Sequence, residues 1–106
     1  MVKTEDILNK LSPDWDGIRE ITVYGFGRTA VRNVDRLAED FRIALIIDND
    51  PEIHGKQYRD CRVQTFEEAR GQLSERKIVV ATSSVAYADI KKQLQGEGLE
   101  ENRDFC

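Results

Sequence analysis

Ile21-Thr22-Val23-Tyr24-Gly25-Phe26-Gly27-Arg28-Thr29-Ala30, answered by Ile43-Ala44-Leu45-Ile46-Ile47-Asp48-Asn49-Asp50-Pro51, decides the fold. The first stretch is an apolar run that breaks at two glycines. The second is apolar at every position until it stops at an acid, as expected of a parallel strand covered on both faces. Between them Val31, Val34, Leu37, Ala38 and Phe41 recur at helical spacing, with Arg32, Asn33, Asp35, Arg36 and Glu39 assigned to the opposite face. Strand, glycine turn, amphipathic helix, strand and acid form a βαβ unit.

Each small residue in that unit has a mechanical reason. Gly25 suits the tight turn, and Gly27 has no side chain to keep a pyrophosphate from the backbone. Ala30 lets the helix pack closely on the strand. The start of the helix offers unpaired N–H groups to an anion. Arg28 opposes the helix dipole unless an anion is bound there. Asp48, about 20 residues beyond the turn, suits a ribose hydroxyl. Its carboxylate would repel a 2′-phosphate, which favours NAD-like over NADP-like ligands. The candidate binding residues are Gly25, Phe26, Gly27, Arg28, Thr29, Asp48, Asn49 and Ser83. A plainer reading stands beside each of them. A strand–helix corner needs small residues even without a ligand, and Asp48-Asn49-Asp50-Pro51 is turn chemistry in its own right. Ser83 and Ser84 equally suit an N-cap.

Outward from this core, the pattern predicts a first strand over 20–25, a helix over 28–40 and a second strand over 42–48. Residues 52–60 read as a loop or short hairpin turning at Gly55. A third strand follows through Cys61-Arg62-Val63-Gln64. Thr65-Phe66-Glu67-Glu68 is a capping box that starts a helix to about residue 74. Lys77 to Ala81 is the fourth strand. The last helix carries Ala86, Ile90 and Leu94 and stops at Gly96 and Gly98. Leu99 to Cys106 reads as an edge strand or as the point where a longer protein continues. Residues 1–19 form a helical arm capped at Thr4, carrying Ile7, Leu8 and Leu11. It either packs on the domain through Trp15 and Ile18 or docks another chain. Residues 20–106 are the domain: a three-layer α/β fold with a parallel sheet of four to five strands in the order 3-2-1-4. Ligands of such sheets bind beyond the carboxyl ends of the strands. The glycine turn, Asp48-Asn49-Asp50 and Thr82-Ser83-Ser84 all fall on that rim.

The chain has 106 residues, 40% hydrophobic and 34% charged, with a net charge of -4. This is the make-up of a folded globular domain. Basic residues form no run, which argues against a nucleic-acid partner. No apolar segment reaches the roughly 20 residues of a membrane span, and the N-terminus lacks the apolar region of a signal peptide. A cytoplasmic location is expected, with Cys61 and Cys106 as reduced thiols. His54, the single histidine, reads as a solvated loop residue. There is no nucleophile elbow, Walker lysine, metal-ligand cluster or stacking aromatic pattern, so no catalytic set is legible and catalysis by this chain alone is not expected.

Over residues 20–105 the chain resembles the small Rossmann-like nucleotide-binding modules of bacterial carbohydrate-modifying proteins, and NAD(P)-binding domains in general. The likeness rests on the glycine turn, Ile47-Asp48-Asn49-Asp50-Pro51 with Gly55 after it, and Val63 to Thr65-Phe66-Glu67-Glu68. It continues through Ile78-Val79-Val80-Ala81 and Ile90-Lys91-Lys92-Gln93-Leu94 before Gly98-Leu99. Related modules are the N-terminal domains of sugar acyltransferases and those fused to glycosyl- or methyltransferase-like enzymes. The resemblance implies a nucleotide-type ligand, NAD(H) or a nucleotide sugar, contacted by Gly25, Gly27 and Asp48. It also implies a regulatory or substrate-holding part of a larger system, with a fused catalytic domain or a homodimer as partner. The alternative is an interaction module that keeps the fold without the ligand.

Overall fold

Along β1 (Glu20–Tyr24), Ile21 and Val23 face one side of a sheet while Thr22 and Tyr24 face the other, and all four are buried. Period-2 alternation with apolar residues on both faces requires a cover on each side. The computed structural model supplies both covers; it describes residues 19–82 and 84–106, without the side chains of residues 28–31, 84 and 85. Of the expected arm over residues 1–19, residues 1–18 lie outside the described residues, as does Ser83.

After β1 come α1 (Arg28–Asp40), β2 (Arg42–Ile47), β3 (Gln57–Tyr58), β4 (Cys61–Gln64), α2 (Phe66–Ala69), a 3₁₀ turn at Arg70–Gln72, β5 (Lys77–Val80) and α3 (Ser84–Gly96). The sheet order is β3-β4-β2-β1-β5. Its four parallel strands therefore run third, second, first, fourth, the order expected, with β3 added as an antiparallel edge beside β4. Val34, Leu37 and Phe41 of the α1 side cover Ile21, Val23, Ile46, Val63 and Val79. On the other face Ala69, Leu73, Ile90 and Leu94 cover Tyr24, Leu45, Ile47, Ile78 and Val80. Three layers result.

The continuous apolar run of β2 serves both faces and contains a bulge. Ile21 pairs with Ile43 but Thr22 pairs with Leu45, leaving Ala44 without an opposite number. The extra residue shifts the phase of the strand. Ile43 and Ile46 then join the α1 side, and Leu45 and Ile47 join the α3 side.

Three details differ from the sequence reading. The hairpin turns at Arg59-Asp60, with Arg59 at φ 52°, rather than at Gly55. The helix begun by the Thr65–Glu68 capping box lasts four residues and tightens to 3₁₀ at Arg70–Gln72, beside the weak helix former Gly71. Asn33, assigned to the outer face of α1, is buried, because it lies one helical turn from Leu37 on the packed stripe.

The stop of α3 follows a Schellman motif. Gly98, at φ +86°, donates to Gln95 O at 3.0 Å, and Leu99 donates to Leu94 O at 3.1 Å. Leu99 also packs on the cluster that holds Leu94, the apolar contact that accompanies this motif. The chain then returns to the sheet. Ile78 donates to Asp104 O at 2.9 Å, Cys106 donates to Ile78 O at 3.0 Å and Val80 donates to Cys106 O at 2.7 Å. Phe105 between them is fully buried.

Candidate functional site

The strand ends form one line. Gly25 donates to Ile47 O at 2.7 Å, Asp48 to Gln64 O at 3.0 Å, and Ala81 to Tyr24 O at 2.9 Å. The glycine turn, the acid after β2 and Thr82 after β5 thus share the rim that the topology assigns to ligands.

The two glycines of the turn differ in kind. Gly25 has φ +117°, and a Cβ there would lie 2.5 Å from Thr82 Cγ2 and 3.1 Å from Ala81 O. The fold itself demands a glycine at that position. Gly27 has φ -75° and ψ -179°, a conformation open to any residue, and a Cβ there meets nothing within 4 Å. Neither backbone nor packing requires a glycine at 27. It is the N-cap of α1, so it supplies no side chain to the first N–H groups, and the first turn carries no acid. Those donors therefore have no side-chain acceptor from the cap, at the positive end of the helix dipole.

Asp48 is half-buried and well held. Its Oδ2 accepts the Phe26 N–H at 2.7 Å and its Oδ1 accepts the Asp50 N–H at 2.8 Å. Asp50 Oδ1 in turn accepts the Glu52 N–H at 3.0 Å, so the turn chemistry read in Asp48-Asn49-Asp50-Pro51 is present. A carboxylate accepts at about four lone-pair sites, and the described residues take two of them. Both readings of Asp48 are compatible.

Of the other expected site residues, Phe26 sits in the core, edge-on to Tyr58 with ring centroids 5.6 Å apart. Its backbone N–H is already bonded to Asp48. Phe26 therefore shapes the turn from beneath. Arg28 and Thr29 open α1, but their side chains lie outside the described residues. Asn49 is exposed beside Asp48.

Tyr24 and Tyr58 carried no site signal in the sequence, and His54, read there as a solvated loop residue, is instead half-buried and bonded. His54 donates from Nε2 to the main-chain oxygen of Asp48 at 2.6 Å and pins the loop after β2. Tyr24, fully buried, brings its hydroxyl within 2.6 Å of Asn49 Oδ1 and 2.7 Å of Gln93 Oε1. Burial pushes its phenol up to about 12, so it stays protonated. Tyr58, similarly raised to about 12 by burial and by Asp35, donates to Asp35 Oδ1 at 2.5 Å and ties the hairpin to α1. A strand-end tyrosine reads as core and a mid-helix glutamine as surface until the partner elements are placed.

A cavity of about 390 Å³ lies at the opposite end of β1 and β5, among Glu20, Leu73, Arg76, Lys77, Leu99 and Asp104. Its charges are largely spent on one another, as in the Arg76 Nε to Glu20 Oε1 bond at 2.8 Å. Among the described residues no group of three His, Cys, Asp or Glu is placed to hold a metal ion, and no helix is long and apolar enough to cross a membrane. Both cysteines are free and half-buried. Burial raises the Cys61 thiol, which donates to Ile43 O at 3.1 Å.

No family model and no curated protein matches the chain. Among solved structures it is similar to the crystal structure of a protein called RSP in complex with β-NADH. The TM-score is 0.58 with 17% identity over 77% of this chain and 42% of that one. The chain thus spans under half the length of that structure. A likeness at this identity shows the fold alone, an α/β architecture of the Rossmann-like kind.

Proposed function

We propose that this chain binds a dinucleotide of the NAD(H) type across the carboxyl rim of its sheet. The pyrophosphate lies over Gly27 at the start of α1, and the adenosine ribose bonds to Asp48. The observation that carries this reading is Gly27. It is a glycine that neither conformation nor packing requires, placed beside an uncapped helix start with no acid in the first turn. A ligand approaching the backbone supplies the missing reason for it. Asp48 supports the reading, since the described residues take only two of its roughly four acceptor positions, and the NADH complex of the similar structure favours a dinucleotide over a nucleotide sugar. In this reading the module holds its ligand on behalf of a larger system.

The test is calorimetric titration of the protein with NADH and NADPH. Saturable one-to-one binding of NADH, weaker by about tenfold or more for NADPH because Asp48 repels the 2′-phosphate, is the expected result. No heat of binding from either at millimolar concentration would overturn the assignment. It would favour the reading of the same fold as an interaction module.

A further inference from the structure

The Tyr24 hydroxyl has one proton and two oxygen neighbours, Asn49 Oδ1 at 2.6 Å and Gln93 Oε1 at 2.7 Å. The triangle closes with Asn49 Nδ2 donating to Gln93 Oε1 at 3.1 Å. The proton is shared in a three-centre bond, and each member of the triangle comes from a different element: β1, the segment after β2, and α3. Gln93 is half-buried, on the side of α3 that covers the sheet between the buried residues Ile90 and Leu94. An aliphatic side chain would suit that place on packing grounds alone, without the rotamer entropy lost in fixing a glutamine.

The position of Asn49 gives the triangle its interest. Asn49 follows Asp48 directly, and the other bonds on Asp48 come from its own rim. Phe26 and Asp50 donate to its carboxylate, and His54 donates to its carbonyl. The triangle ties this exposed turn to the helix layer behind the sheet. Resting on the reading of Asp48 as the ribose acceptor, we propose that Tyr24, Asn49 and Gln93 are positioning residues for that carboxylate. Gln93 is the member through which α3 holds it. Fixing the Asn49 side chain at two points restricts the peptide that joins it to Asp48. The carboxylate then meets a ribose already oriented, and less ordering is left for the ligand to impose. Because burial keeps the phenol protonated, the arrangement persists through neutral pH.

The test compares Gln93→Leu with the wild type and with Gln95→Ala, an exposed change on the same helix. In the ligand-free protein, amide hydrogen exchange at Phe26 and Asp50, whose N–H groups bond to the Asp48 carboxylate, is expected to quicken about fivefold in Gln93→Leu. Urea unfolding should stay near the wild-type midpoint, and Gln95→Ala should leave those two amides unchanged. In the second arm, ADP and 2′-deoxy-ADP are titrated into each protein. The wild type should prefer ADP by about fivefold or more, the worth of one hydroxyl-to-carboxylate bond. In Gln93→Leu that preference should shrink towards unity; a merely structural loss would weaken both ligands by the same factor and leave the preference as it was. Unchanged exchange at Phe26 and Asp50 would overturn the proposal whatever the nucleotides do. An unchanged ADP preference would overturn its ribose half. If the wild type bound neither nucleotide, the functional reading would fall, and the exchange arm would still decide whether the triangle holds Asp48.

Discussion

Gly27→Ser should make the protein more stable and a worse binder. Gly27 is an N-cap with extended backbone angles, φ -75° and ψ -179°, which serine adopts without strain. A Cβ at this position meets nothing within 4 Å, so no neighbour has to move. The serine hydroxyl can accept from the N–H of Thr29 or Ala30, which is worth a few tenths of a kcal/mol over glycine. Loss of glycine freedom in the unfolded chain adds about 0.5 kcal/mol. The sum, about 1 kcal/mol, should raise the melting temperature by about 4 °C for a chain of this size. The same hydroxymethyl group occupies the approach to the backbone and uses one donor that the proposed pyrophosphate contact needs. A lost charge-assisted bond costs about 2 kcal/mol, or about thirtyfold in Kd. Thermal unfolding followed by circular dichroism at 222 nm gives the first quantity, and calorimetric titration with NADH gives the second. A lower melting temperature would show that the helix start is not built as described. Unchanged NADH affinity in the stabilised variant would refute the placement of the anion over Gly27.

Other expectations follow from the same structure. Gly25→Ala should cost about 3 kcal/mol in urea unfolding, because φ +117° and a Cβ 2.5 Å from Thr82 Cγ2 penalise the alanine twice; a loss below about 1 kcal/mol would contradict this. Gly98→Ala should cost about 1 kcal/mol through the left-handed position of the Schellman motif, with no effect on nucleotide titrations. The Tyr87 hydroxyl and the Lys91 ammonium hold the Glu101 carboxyl below its ordinary value of 4.5. A lowered folded value means that this stabilisation is complete above pH 4.5 and is lost as pH falls through the folded value. Urea midpoints measured from neutral pH downwards should therefore fall below that point, and Glu101→Gln should remove part of the fall.

Whatever a local pattern determines was legible in the chain. The runs 21–24, 43–47 and 78–80 place apolar residues on both faces, as strands of a covered parallel sheet do. The capping box at Thr65 and the glycine stop of α3 are short-range chemistry and formed as read. The rest depends on partners distant in sequence. The bulge at Ala44 shifts the phase of β2, and a run that is apolar at every position gives no sign of such a shift. Asn33 looks polar in any helical wheel and is buried because the stripe that meets the sheet includes it. Phe26 lies inside the glycine fingerprint, yet its ring belongs to the core beside Tyr58. The Tyr24, Asn49 and Gln93 triangle joins positions up to 69 residues apart and carries no motif.

The return of the chain to β5 governs how this sheet meets other molecules. An open strand border is a row of unspent donors and acceptors on which a foreign strand can crystallise. Here one border is taken up by residues 104–106, and the outer side of that segment is folded back on itself. Asn102 donates to Phe105 O at 2.6 Å, and Asp104 donates to Glu100 O at 2.8 Å. The opposite border, β3, is two residues long and runs into the charged pair Arg59-Asp60. Neither side offers a template of useful length, so the described sheet resists runaway polymerisation through its borders. Among the described residues, the layer faces and the rim are the surfaces left for assembly.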